Sequence, residues 1–86
     1  MDIKEYVREL IKKADGAGPL SKALGISRVA VGLWLVNGVP ADRVLGACAQ
    51  ARWAVTPYQV RPDLYPHPED GLPAAMRRQT STEKAA

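Results

Sequence analysis

Apolar positions recur at helical spacing along most of the chain. Ile3, Tyr6, Val7, Leu10, Ile11 and Ala14 fall on one side of a helix expected over residues 2–14. Lys4, Arg8, Lys12 and Lys13, with Glu5 and Glu9 among them, fall largely on the other side and read as a solvated face. Asp2 is placed to cap this helix. Asp15-Gly16-Ala17-Gly18 is expected to end it, because glycines continue a helix poorly. Pro19 suits a first helical turn, where its missing N–H has no partner to lose. A second helix is therefore expected from about 19 to 24, with Leu20 and Leu24 on a shared face. Gly25 can stop it by turning left-handed. Ser27 is placed to cap a third helix from about 28 to 36, which Asn37-Gly38 terminates.

Beyond Val39-Pro40 a fourth helix is expected. Asp42 stands in its first turn, and Val44, Leu45, Cys48 and Ala51 form its apolar stripe. Trp53–Val55 reads as extended. Thr56-Pro57 reads as a cap and a first helical residue, opening one short turn to Val60. Arg61–Pro66 is expected to lie extended over the body, with Leu64 and Tyr65 as anchors. From His67 the pattern fades. Residues 67–86 hold Pro, Gly, Ala, Ser, Thr and charge, with only Leu72 and Met76 as large apolar side chains. Such a stretch buries too little surface to order itself, so a disordered tail is expected, with a turn near Pro73–Gln79.

The stretch Leu20–Trp34, LSKALGISRVAVGLW, is the organising unit. Two short helices meet at a tight turn, and Leu20, Leu24, Ile26, Val31 and Trp34 are the positions it must bury. That is the pattern of a helix-turn-helix, whose second helix can enter a DNA major groove. The expected fold is all-α: a compact four-to-five-helix bundle containing a helix-turn-helix over residues 1–66, followed by a flexible C-terminal tail over 67–86.

The two faces of the third helix differ in meaning. A projection at about 100° per residue turns Ala30, Val31 and Trp34 inward and Arg28, Val29, Gly32, Leu33 and Val36 outward. Outward residues near the start of such a helix meet base edges. Arg28 could bridge guanine O6 and N7, Val29 and Leu33 could meet thymine methyls, and Gly32 would allow close approach. Lys22, Ser27 and Arg43 are candidate phosphate contacts, which position without specifying sequence. An exposed row of Val29, Leu33 and Val36 is equally the kind of surface that docks protein.

Composition narrows the choice. The chain has 86 residues, enough for one small domain, and its formal net charge of +3 permits nucleic-acid binding without demanding it. Arg77-Arg78 read as solvated side chains offset by nearby carboxylates. Cys48 is the single cysteine, which excludes an intramolecular disulfide; its apolar setting implies a buried thiol in a reducing compartment. No apolar run approaches the roughly 20 residues of a membrane span, and MDIKEY lacks the order of a signal peptide. A cytoplasmic protein without membrane contact is expected. Catalytic chemistry is not supported. His67, the one histidine, stands in a Pro-flanked stretch, and Cys48 has no histidine at helical spacing for a nucleophile or a zinc site. No cofactor or metal is expected, and no enzyme activity.

With LSKALGIS, VAVGLW, NGVPADRV and AVTPYQVRPDLYP in view, the chain resembles the Cro-like and YdaS-like antitoxin or repressor family of small prophage helix-turn-helix proteins. The resemblance spans about Ala14 to Pro66. It implies an all-helical domain that binds a double-stranded DNA operator as a homodimer and represses a nearby promoter. The chain departs from that family at Ala17, where a glutamine is usual, and at Gly32 and Leu33, where polar residues are usual. Trp53, Tyr58, Val60, Leu64 and Tyr65 are candidates for a dimer or partner surface, or else close the core beneath the first helix. Two functions follow: a sequence-specific transcriptional regulator, or a protein-binding module that docks on a toxin or host regulatory protein through the third helix.

Overall fold

The structure, a computed structural model, describes residues 2–76. Among them are five α-helices and two short 3-10 turns, with no strand. Helix α1 spans Ile3–Lys13 and opens where expected: the Glu5 backbone N–H donates to Asp2 Oδ1 at 3.0 Å. Its end is a double cap. Asp15 turns left-handed (φ 72°) and donates to the Lys12 carbonyl, and the Gly16 N–H donates to the Ile11 carbonyl at 2.9 Å.

Helix α2, Ala17–Leu24, starts two residues earlier than the glycines suggest. Gly16 stands before it, and Pro19 becomes the third helical residue, still in the turn whose N–H groups lack helical partners. Gly18 sits inside that turn rather than before it. Helix α3, Arg28–Asn37, carries the Ser27 cap: the Ala30 N–H donates to Ser27 Oγ at 3.0 Å. The fourth helical segment starts as a 3-10 turn, Ala41–Arg43, and continues as α4, Val44–Gln50. Val44, Ala47, Cys48 and Ala51 point into the core. Leu45 does not, being 44% exposed; Ala47 takes its expected place in the stripe.

Arg52 and Trp53 are not extended. Both are left-handed (φ 55° and 59°) and reverse the chain after α4. The reversal is a local helix cap, with the Arg52 N–H donating to the Ala49 carbonyl at 3.0 Å and the Trp53 N–H to the Cys48 carbonyl at 2.9 Å. Arg52 Nη1 also reaches the Lys13 carbonyl at 3.4 Å, and Nη2 pairs with Asp15 at 3.6 Å. Helix α5, Pro57–Val60, has a complete capping box. The Gln59 N–H donates to Thr56 Oγ1, and the Thr56 N–H donates to Gln59 Oε1.

Arg61–Tyr65 forms a turn instead of an extended run, with Leu64 and Tyr65 N–H groups both donating to the Arg61 carbonyl. Arg61 fixes it by two bonds to Asp63, at 3.0 and 2.8 Å, and one to the Val39 carbonyl at 2.6 Å. Leu64 is 44% exposed, whereas Tyr65 packs on the core. Of the expected tail, residues 67–76 are described. The His67 N–H donates to Asp70 Oδ2, Gly71 lies against Pro57, Leu45 and Tyr65, and Ala74–Met76 is a 3-10 turn. The rest of the expected tail, with Arg77 and Arg78, lies outside the described residues.

One core joins all five helices. Val7 and Leu10 of α1, Leu20 of α2, Val31 and Trp34 of α3, Val44 and Cys48 of α4 and Val60 of α5 are buried together. Among the described residues no single helix is long and apolar enough to cross a membrane.

Candidate nucleic-acid interface

The axes of α2 and α3 meet at 106°, within the range of helix-turn-helix units. The turn is local chemistry. Gly25 is left-handed (φ 71°), which a side chain would oppose, and the Ile26 N–H returns to the Ser21 carbonyl at 3.0 Å. Ser21 is the one buried polar side chain in the unit, and its hydroxyl is satisfied by donating to the Gly18 carbonyl at 2.8 Å. Its small size places α3 close upon α2.

Helix α3 divides as its periodicity predicts. Val31 and Trp34 are buried at 0% and 3% exposure, while Val29, Leu33 and Val36 stand at 73%, 50% and 76%. Arg28 and Gly32 are exposed on the same outer side. A β-carbon at Gly32 would meet nothing, so that position is open ground beside Val29 and Leu33. The base-reading candidates thus form one exposed row on one helix.

The phosphate candidates are less alike. Lys22 is exposed in the last turn of α2. Ser27 is exposed, and its oxygen already accepts the α3 cap bond, leaving its O–H to donate outward. Arg43 is half-buried and donates to the Leu24 carbonyl at 3.4 Å, a cation at the carbonyl end of α2. It therefore serves the turn itself.

The residues offered as a dimer or partner surface do not share one environment. Val60 is fully enclosed in the core and belongs to no surface; its place in the short α5, pressed on α1 and α4, explains why. Trp53 and Tyr65 are half-buried against the core. Tyr58 and Leu64 remain outside, at 37% and 44% exposure. Tyr58 borders an open cleft of ≈ 310 Å³ with Ile3, Tyr6, Gln59 and Pro62. Ile3, read from its spacing as a core residue, is 45% exposed at this cleft. Ile3 opens α1, and a first turn that overhangs the core leaves its side chain in solvent, a detail that periodicity alone does not carry.

The Cys48 thiol is enclosed within α4, and burial pushes it up to about 12. Burial of this kind disfavours the thiolate, the form that attacks substrates and binds metals. Asp63 is held below the usual carboxylate range by its hydrogen bonds from Arg61, whose own guanidinium is raised by the same pairing.

The geometry defines a small all-helical domain of helix-turn-helix type with an exposed, largely apolar second helix. The chain belongs to the family described as bacterial toxin YdaS, whose sequence model matches residues 7–69. The match takes in most of α1, all of α2 to α5 and the turn that follows. No curated protein and no solved structure matches the chain.

Proposed function

We propose that the protein is a sequence-specific DNA-binding regulator of transcription, acting by binding and not by catalysis. The observation that carries the reading is the 106° α2–α3 unit, with its outer row Arg28, Val29, Gly32, Leu33 and Val36 exposed on α3. A helix so mounted fits the major groove, and side chains near its start reach base edges. Lys22 and Ser27 flank it as phosphate contacts.

The protein acts as a homodimer on a double-stranded operator in the cytoplasm, with half-sites roughly 10 base pairs apart. Ile3 and Tyr58, exposed at the α1–α5 cleft, with Leu64 exposed in the turn that follows α5, supply the dimer contact. Gel-shift titration against DNA fragments flanking its own gene tests the reading. Sequence-dependent shifts that weaken steeply with salt are expected. No shift on any fragment at low salt would sink it.

A second reading is favoured by the exposure of Val29, Leu33 and Val36, which is high for three apolar side chains in one row. On that reading α3 docks on a toxin or host regulatory protein. A partner recovered by pull-down from the native host and lost in Leu33→Glu, with no DNA shift, would establish it over the first.

A further inference from the structure

Although exposed, the Arg28 guanidinium lies back from α3 against the first turn of α2. A β-carbon on Gly18 would stand 2.8 Å from Arg28 Nη2 and 3.6 Å from Cζ and Nε. Real β-carbons do not come so close, so this seat exists only because residue 18 has no side chain. Among the described residues no carboxylate pairs with the guanidinium there. The ion pairs among the described residues are Lys13–Glu9, Arg52–Asp15 and Arg61–Asp63, and neither α2 nor α3 has an acidic residue in its first turn. Among the described residues the cation thus has no counter-charge, beside helix starts that are themselves partly positive.

The seat also turns Arg28 away from the outer row. To bridge guanine O6 and N7 an arginine must reach along its own helix into the groove. Arg28 instead spans from α3 to the first turn of α2, and in a helix-turn-helix it is the first helix of the unit that crosses the DNA backbone. We propose that Arg28, seated on Gly18, holds a backbone phosphate instead of reading a base, with Gly18 as its positioning residue. This rests on the DNA-binding reading above. Discrimination then falls to Val29, Gly32 and Leu33, whose chemistry favours thymine methyls, while the one arginine of α3 supplies sequence-blind grip.

The test uses the full chain and a pool of randomised duplex DNA, with selection and sequencing followed by salt titration on a recovered duplex. Far-UV circular dichroism controls for folding. Arg28→Ala is expected to recover the same motif as the unaltered chain. Its affinity falls about tenfold, and the slope of log affinity against log salt becomes shallower by about 0.9. Gly18→Ala, which favours helix, is expected to keep the motif and to flatten the slope by part of that amount, because its methyl group displaces the guanidinium. Leu33→Ala is expected to alter the motif at an A·T pair. Loss of preference at one G·C pair in Arg28→Ala, with the salt slope unchanged, would overturn the assignment. An unchanged slope in Gly18→Ala would overturn the positioning role. An unaltered chain that binds no duplex at about 50 mM salt overturns the DNA-binding reading, and the assignment falls with it.

Discussion

Val29 and Val31 stand two residues apart on α3 and share the same side chain, yet one is 73% exposed and the other fully buried. Replacing each by alanine changes the same atoms in two environments. Removing two buried methyl groups from Val31 loses about 0.8 kcal/mol apiece in transfer. The cavity left in a core that relaxes only partly adds on the order of 1 kcal/mol. Alanine's better helix propensity returns about 0.6 kcal/mol. Val31→Ala is therefore expected to destabilise by about 2 kcal/mol, which lowers Tm by about 8–16 °C in a domain of this size. Val29→Ala loses almost no burial and keeps the helix gain, so its Tm should stay level or rise by about 2–4 °C. Thermal unfolding followed by far-UV circular dichroism, with urea titration of tryptophan fluorescence beside it, measures both. Equal shifts in the two variants, or a larger loss in Val29→Ala, would refute the division of α3 into a buried and an open face. The same Val29→Ala protein should bind DNA more weakly at undiminished stability.

The other predictions concern single contacts. Arg61→Ala removes the bonds to Asp63 and leaves the Val39 carbonyl unpaired, so urea unfolding should show a loss of about 1–3 kcal/mol. Asp63→Asn should lose less than Arg61→Ala in the same titration, since that carboxylate is mostly exposed and its ion pair is screened by solvent. The Asp63 contribution should be present above about pH 4, the unfolded carboxylate range, and fade as pH falls through its lower folded value, as acid titration of stability in Asp63→Asn against the unaltered chain would show. Cys48 should resist thiol reagents in the native state. Because the unfolded thiol ionises first, near pH 8.5, its contribution should be constant below that pH and decline by up to about 1.4 kcal/mol per pH unit toward the folded value of about 12, a decline absent in Cys48→Ala. Tyr58→Glu should shift sedimentation from dimer to monomer without lowering helicity if the α1–α5 cleft is the dimer contact.

What was legible in the sequence was what local chemistry decides. The caps Asp2, Ser27 and Thr56 are read within three residues of themselves, and each makes its bond. The buried and open sides of α3 follow from its 3.6-residue period. The left-handed pair Arg52-Trp53 was not legible, because the helix cap it forms, closed by backbone bonds to Ala49 and Cys48, uses an arginine and a tryptophan where a glycine or asparagine would have announced it. The early start of α2 was hidden by glycines that read as breakers yet are tolerated in a first turn. Val60 reads either as part of a partner surface or as closing the core beneath the first helix, and only the return of α5 to α1 decides for the core. The seat of Arg28 on Gly18 joins residues on two helices, and no spacing rule announces it.

Helix α5 is four residues long, too short to persist unless docked. Its Pro57 and Val60 nevertheless fill the core next to α1. During synthesis, then, the helix-turn-helix leaves the ribosome well before the domain can close. α1 waits with apolar surface open until residues beyond Val60 have emerged. A chain stopped before Thr56 would keep both helices of the unit and lack the piece that seals them, so the newly made protein passes through an interval in which aggregation competes with folding.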